Sequence, residues 1–238
     1  MKKGKNGRRI TLGQQIIAAM LIMQIVVMSF LAGLVVIGTT NNTRTETINN
    51  METIVQERSR IVENYIEKSE TILASYSRAG EILSVMKNPN SATTVAAAQA
   101  YTEKFSGDID NLEGLYASEW DTHVLVHTNP AVVGITTRTG DPLKALQDAM
   151  LATDGVYNTG IIISPASGAQ IVSMYMAVYN ENGKPAGLVG GGIYTEGLVE
   201  SLDNLSLNGM ENAAYCMINA KDGKYIFSAD SEKVATEA

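Results

Sequence analysis

The sequence predicts an α+β chain: an N-terminal transmembrane helix, a long amphipathic helix, a five-stranded antiparallel sheet, and the start of a second module of the same kind. Three observations carry that prediction. Residues 16–38 form an uncharged apolar run, apolar residues recur on a heptad from residue 43 to about residue 87, and after Gly107 the periodicity changes to that of strands joined by short, turn-rich links.

The run IIAAMLIMQIVVMSFLAGLVVIG at 16–38 has only Gln24 and Ser29 as polar side chains. At ~1.5 Å per residue it spans roughly 34 Å, enough for a ~30 Å hydrocarbon core, whereas a secretory h-region is about half as long. No small-residue cleavage site follows, so the helix is expected to stay in the mature protein. Lys2, Lys3, Lys5, Arg8 and Arg9 precede it without an acid, while residues 39–56 offer only Arg44 as a base. The positive-inside rule therefore makes residues 1–15 a cytoplasmic basic tail and places residues 39–238 outside a cell membrane.

Five of the eighteen Lys and Arg residues and none of the twenty-five Asp and Glu residues lie before position 39, which leaves thirteen bases against twenty-five acids outside. Such a surface repels nucleic acid and anionic headgroups. One cysteine, Cys216, excludes an internal disulfide and a Cys-rich metal site. In a strand it is expected to be a small buried hydrophobe.

Residues 39–88 read as one long signalling helix. Ile48, Val55, Val62, Tyr76 and Leu83 fall on one heptad position, Met51, Tyr65, Ile72, Ala79 and Met86 on another, with Arg58 and Ser69 as polar interruptions. Flanking Ile54, Ile61, Ile66, Leu73 and Ile82 widen the stripe, so one edge is expected to pack on its own domain and the other on a second chain, giving a homodimer. Forty-five residues at ~1.5 Å each give about 68 Å, longer than a small domain is wide.

Asn88, Pro89 and Asn90 end that helix, and Ser91 caps the next, 92 to about 105. A hairpin follows, with strands 112–117 and 122–128 around Ser118, Glu119, Trp120 and Asp121. Asp141 as N-cap and Pro142 at the first helical position open a helix over 143–151 that Gly155 closes. Strands at 156–164, 170–179 and 186–194 are joined by turns rich in Pro, Gly, Asn and Ser, so they are expected to pair consecutively and antiparallel. Residues 196–205 form a short exit helix. A fresh hairpin, 213–219 and 224–228, then repeats the element order about one hundred residues after the first, and residues 209–238 are expected to begin a second copy of the module.

This order of elements resembles the Cache sensory module, a PAS-like fold of bacterial transmembrane receptors. WDTHVLVHTNPAVVGITTRTGDPLKAL and GVYNTGIIISPASGAQIVSMYMAVYNENGKPAGLVGGGIY resemble the ligand-binding region of methyl-accepting chemotaxis proteins, and YCMINAKDGKYIFSADSEKV resembles the opening of a membrane-proximal second Cache unit. The resemblance makes residues 89–208 the membrane-distal sensor module. It implies that the complete receptor continues through a second membrane helix and a HAMP linker to cytoplasmic signalling parts, which lie outside these residues.

In the Cache fold the ligand sits over the sheet, so strand alternation selects candidates. On strand 170–179 one face holds Ile171, Ser173, Tyr175, Ala177 and Tyr179; the other holds Val172, Met174, Met176 and Val178. The mixed face suits a small polar ligand and the apolar face suits a core under the long helix. Tyr157, Ser164 and Tyr194 on neighbouring strands supply hydroxyls, Arg138 offers a guanidinium to a ligand carboxylate, and Trp120 offers an aromatic wall. Each has an ordinary structural alternative: tyrosines serve as core or rim, Arg138 can be solvated or tied to Asp141, and Trp120 can plug a hairpin. Amino-acid-binding Cache receptors carry an arginine two residues before a tryptophan on this hairpin; here that position is Ser118, and ligand identity stays open.

His123 and His127 share one side of a strand but stand about 13 Å apart, too far for one metal ion. Gly190, Gly191 and Gly192 are no phosphate loop, since no Lys followed by Ser or Thr comes after them; they are expected to let another group approach the sheet closely. No nucleophile stands at an informative spacing from a base, so neither catalysis nor a cofactor is expected. The reading is a non-enzymatic chemoreceptor sensor that moves its long helix on binding. The alternatives are the sensor of a histidine kinase or cyclic-dinucleotide synthase, and a membrane-anchored structural protein without a ligand.

Overall fold

A computed structural model describes residues 11–204, 214–220, 222–228, 233–234 and 236–238. The basic tail up to Ile10 and the end of the proposed exit helix at Leu205 lie outside them. The chain divides into two compact units, Met1–Glu57 and Arg58–Ala238. Within the first, every described residue belongs to helix α1 (Leu12–Ser77) or its lead-in, and the run at 16–38 is exposed throughout. Among the described residues α1 is the one helix long and apolar enough to cross a membrane by length and composition.

The second unit begins on the same helix. The heptad reading continues through residue 86, but α1 stops at Ser77 and a separate helix α2 (Gly80–Lys87) follows. Ala79 between them is extended, with φ −64° and ψ 141°, so the seam is broken where a uniform period concealed it. Glu81 in the first turn and Lys87 in the last suit the dipole of the new helix. Arg58 and Ser69 are not exposed interruptions: both are buried. Ser69 donates to the carbonyl of Tyr65 four residues back, and the Arg58 guanidinium lies 3.8 Å from the centre of the Tyr215 ring.

Ser91 accepts from the amide of Thr94 and opens α3 (Ala92–Ser106). The first hairpin pairs β1 (Leu112–Glu119) with β2 (Val124–His127), and a short 3-10 turn, Pro130–Val132, follows. Helix α4 (Gly140–Leu151) starts earlier than expected. Its N-cap is Thr139, and Asp141 lies in the first turn rather than at the cap. Strands β3 (Tyr157–Ile163), β4 (Gln170–Tyr179) and β5 (Pro185–Tyr194) form the meander, and α5 (Glu196–Asp203) leaves it.

All pairings are antiparallel, in the order β2-β1-β5-β4-β3. β5 thus inserts beside β1, and the centre of the sheet is built from the two strands farthest apart in sequence. Alternation sorts its two faces. Leu115, Ala117, Val172, Met174, Val178 and Val189 face Leu73 and Tyr76 of α1 and the buried residues of α2 and α3. On the other face Tyr175, Ala177 and Leu188 meet Leu146 and Met150 of α4. Tyr76, fully buried, shares a 2.6 Å hydrogen bond with Thr102, so its hydroxyl is not stranded in the core.

The last described hairpin, β6 (Cys216–Ile218) and β7 (Tyr225–Ser228), forms its own two-stranded sheet. Tyr215 just before it donates to Asp203 of α5 at 2.6 Å and stacks on Phe227 at 4.7 Å. Burial and the Asp203 carboxylate push its hydroxyl up to about 12. Cys216 is exposed, contrary to the expectation of burial, because a two-stranded hairpin leaves one face uncovered at that position.

Candidate functional site

The face of the sheet opposite α1 carries a cavity of about 530 Å³, lined by all five strands of the sheet, the segment after β2, and the turn after β3. Its floor is open because of glycine. A Cβ on Gly190 would lie 2.4 Å from the Tyr116 ring, and one on Gly192 would lie 2.6 Å from Glu113 Oε2. Gly192 lines the cavity, Gly190 lies under the Tyr116 ring, and the bare backbone lets an aromatic ring and a carboxylate lie flat on β5. Gly191, on the other face, meets Leu115 and Leu73 at ordinary contact distance.

Five of the seven sequence-selected residues line this cavity: Arg138, Ser164, Ser173, Tyr175 and Tyr194. Trp120 and Tyr157 do not. Both pack beside the α4 cluster, and the Trp120 carbonyl accepts from Gln147 of α4 at 2.9 Å. Ser118, at the position two before the tryptophan, is fully buried, and its hydroxyl has no hydrogen-bond partner among the described residues. The cavity's cation comes instead from Arg138.

Arg138 is held at both ends. Thr122, buried in the left-handed region at φ 68°, donates through Oγ1 to the Arg138 carbonyl and accepts from the Arg138 amide, at 3.0 and 2.9 Å. A β-branched residue at positive φ is strained, so the hairpin turn spends conformational energy on a hydroxyl that fixes this backbone. At the far end Nη2 donates to Tyr175 Oη at 2.8 Å, and the guanidinium lies 4.9 Å from the Tyr175 ring centre. Ser173 donates to the same Tyr175 oxygen at 3.2 Å. Burial works against the guanidinium's charge, but the Tyr175 and Tyr116 oxygens outweigh it and hold its pKa above the ordinary value. Tyr116 is raised, first by burial.

The cavity also holds residues that sequence reasoning did not select: Glu113, Tyr116 and His127. Glu113 Oε1 accepts from the Ser164 hydroxyl, and Ser164 Oγ in turn accepts from the amides of Ala166 and Ser167 at 3.1 and 3.3 Å. Ser164 is therefore saturated by its own turn and holds Glu113 in place. Glu113 Oε2 accepts no hydrogen bond among the described residues. His127 stacks on Tyr116, with centroids 5.3 Å apart and planes 11° from parallel. Its pKa is lowered by burial, an effect that Glu113 opposes. The signal for Glu113 and Tyr116 was the alternating pair Gly190 and Gly192, which demands occupants on one face without naming them.

Among the described residues no cluster of His, Cys, Asp or Glu could hold a metal ion. Outside the cavity, His123 Nδ1 lies 2.8 Å from Glu119, both residues being half-buried.

No family model matches the sequence, and no curated protein matches it. Solved structures match by fold. The sensor domain of the histidine kinase DctB from V. cholerae superposes with a TM-score of 0.64 at 11% identity, over 80% of this chain and 69% of that one. The sensory domain of the Campylobacter jejuni chemoreceptor Tlp3, solved with isoleucine bound, gives 0.56 at 13%, over 79% and 72%. The ligand-binding domain of the Pseudomonas fluorescens chemoreceptor CtaA, in complex with L-serine, gives 0.54 at 17%, over 76% and 72%. At these identities the likeness is one of fold. The chain has a Cache-like sensor fold, shared with chemoreceptor ligand-binding domains and with a histidine kinase sensor domain.

Proposed function

We propose that the chain is the extracytoplasmic ligand-sensing part of a transmembrane receptor, and that its cavity takes a small zwitterion of amino-acid size. One observation carries this reading. Glu113 and Arg138 line the same cavity, yet among the described residues neither is in an ion pair; each is held by hydroxyls instead. An acid and a base oriented by neutral partners keep their charges for a guest, the ammonium on Glu113 and the carboxylate on Arg138. Amino acids occupy the fold-related chemoreceptor domains from C. jejuni and P. fluorescens.

In this reading the run at 16–38 crosses the membrane with the tail inside, and binding biases the helix that contains both it and the first buried core residues. Ile48, Met51 and Val55 are each at least half exposed in the single chain, and a second copy packed along the helix would cover them. The output we favour is chemotaxis signalling through parts beyond these residues. A histidine kinase is the second reading, because the DctB sensor domain has the same fold.

The test is a thermal-shift and calorimetric screen of the detergent-solubilised chain against amino acids, simple carboxylates and simple amines. Zwitterions are expected to raise the melting temperature more than either half alone. Arg138→Ala and Glu113→Gln are each expected to weaken binding about tenfold or more, since a hydrogen bond to a charged group contributes ~1.5–3 kcal/mol. A screen in which nothing raises the melting temperature, or variants that bind like the parent, would remove the support for this function.

A further inference from the structure

Resting on the zwitterion reading, we propose that His127 is a specificity-determining residue whose ring presents Nε2–H to the ligand and selects amino acids with a hydrogen-bond-accepting side chain over their aliphatic counterparts. The tautomer follows from one bond. His127 Nδ1 lies 2.7 Å from the backbone nitrogen of Asn129, and a backbone N–H can only donate. Nδ1 must therefore accept, and the neutral ring carries its proton on Nε2. Among the described residues nothing accepts from Nε2, although the ring lines the cavity.

The ring has little freedom to do otherwise. β2 is an edge strand, and the Gln99 side chain of α3 covers that edge at this residue: its Oε1 accepts from the His127 amide at 3.1 Å, and its Nε2 donates to the His127 carbonyl at 2.9 Å. One flat side of the ring is stacked on Tyr116, and a Cβ on Gly114 would lie 3.3 Å from Cε1. Asn129 also accepts from the amide of Ala131, so the acceptor role of Nδ1 is built into the turn after β2. The charged and titratable groups around the ring are Glu113 and Tyr116 on β1, Glu103 held by Gln99 on α3, and Arg138 across the cavity.

With the ligand ammonium on Glu113 and its carboxylate on Arg138, the donor beside Glu113 is left for the side chain. Serine, threonine, asparagine and glutamine supply an acceptor there; alanine, valine and leucine leave Nε2–H unpaired or wet.

Two variants separate the ring's two jobs. His127→Asn keeps an oxygen acceptor near the position of Nδ1 for Asn129 but has no group at Nε2; His127→Gln keeps a donor at Nε2 but gives up the short acceptor. Histidine-labelled chain examined by nitrogen NMR reads the tautomer directly, and with two histidines in the sequence the His127 signals are those lost in the variants. The expected results are an Nε2–H ring at neutral pH, parent affinity about tenfold higher for threonine than for valine, that preference lost in His127→Asn and largely kept in His127→Gln, with both variants melting below the parent and His127→Gln, which also gives up the acceptor for Asn129, melting below His127→Asn. An Nδ1–H tautomer, or a His127→Asn protein that still prefers threonine, overturns the proposal while leaving the zwitterion site standing. A parent protein that binds no amino acid overturns both.

Discussion

Three consecutive glycines in β5 face three different environments, so alanine at each should have a different effect. At position 190 the new methyl would lie 2.4–2.6 Å from two ring carbons and the hydroxyl oxygen of Tyr116, whose ring is itself stacked against His127. The ring cannot move back without displacing the histidine, so the substitution overpacks a fixed aromatic pair, at a cost of about 1–3 kcal/mol. For a domain of this size each kcal/mol lowers the melting temperature by about 2–4 °C, giving a drop on the order of 2–12 °C. At 191 the nearest atom is Leu115 Cδ1 at 3.4 Å, an ordinary contact at the end of a movable side chain. Gly191→Ala should be close to neutral, or slightly stabilising through the unfolded state. At 192 the methyl meets Glu113 Oε2 at 2.6 Å and Ile171 Cδ1 at 2.9 Å, both ends of flexible side chains. Gly192→Ala should therefore cost less stability than Gly190→Ala but lose ligand binding as Glu113 is displaced. Thermal unfolding of the three proteins, followed by calorimetry, reads both effects. Equal melting temperatures for the 190 and 191 variants would refute the assignment of the two faces.

Thr122→Ser keeps the hydroxyl that fixes Arg138 and should bind ligand like the parent, while Thr122→Gly relieves the positive φ but weakens binding several-fold; titration calorimetry compares them. Tyr65→Phe removes the hydroxyl that donates to the Tyr194 carbonyl at 2.5 Å, and denaturant unfolding should show a loss of about 0.5–1.5 kcal/mol with affinity little changed. Because the folded pKa of His127 lies below its unfolded value, its contribution to stability is present above about pH 6.5 and lost as pH falls through the folded pKa. Melting temperatures between pH 7 and pH 5 should fall, as this group removes at most about 1.4 kcal/mol of stability per pH unit, and should fall less steeply in His127→Asn.

The sheet was legible because a two-residue period leaves few alternatives. Once Ser173 and Tyr175 were read on one face of strand 170–179 and Met174 and Val178 on the other, the cavity side and the helix side followed. The break at Ala79 was not legible, since Ala79, Ile82 and Met86 continue the apolar stripe while the backbone turns extended at one residue. Glu113 was missed for a related reason. A carboxylate one residue into a strand reads as a solvated edge, and its role depends on β5, almost eighty residues later, pairing beside β1 and offering a glycine opposite it. Non-local pairing of that kind leaves no trace in local periodicity. Trp120 was selected because aromatic residues on a ligand-side hairpin make good walls, but the bulge between Ala117 and Ser118 re-aims the end of β1, and the indole packs with the α4 cluster.

A ligand can bias the long helix only if the groups it touches are tied to that helix, and two hydrogen bonds supply the ties. Tyr194 lines the cavity, and its carbonyl accepts from Tyr65 of α1; burial raises the Tyr65 pKa, so the phenol remains a donor at any physiological pH. Asn158 of β3 donates to Glu70, five residues further along α1 and on the far edge of the sheet. One tie is at the end of a central strand and the other on an edge strand. A movement of β3 relative to β5 would therefore pull on two points of one helix instead of translating it uniformly. The turn held by Ser164 joins β3 to β4, and Ser164 holds Glu113 of β1, so an ammonium drawn onto Glu113 acts on both strand systems at once. The coupling predicts a separation of effects. Asn158→Ala and Tyr65→Phe should leave ligand affinity near that of the parent, because neither residue lines the cavity, yet each should reduce the ligand-induced change in spin-label distances between labels on α1 and on β3. If both variants respond as fully as the parent, the signal leaves the sheet by packing of the Leu73 and Tyr76 side chains, and these hydrogen bonds only anchor the helix.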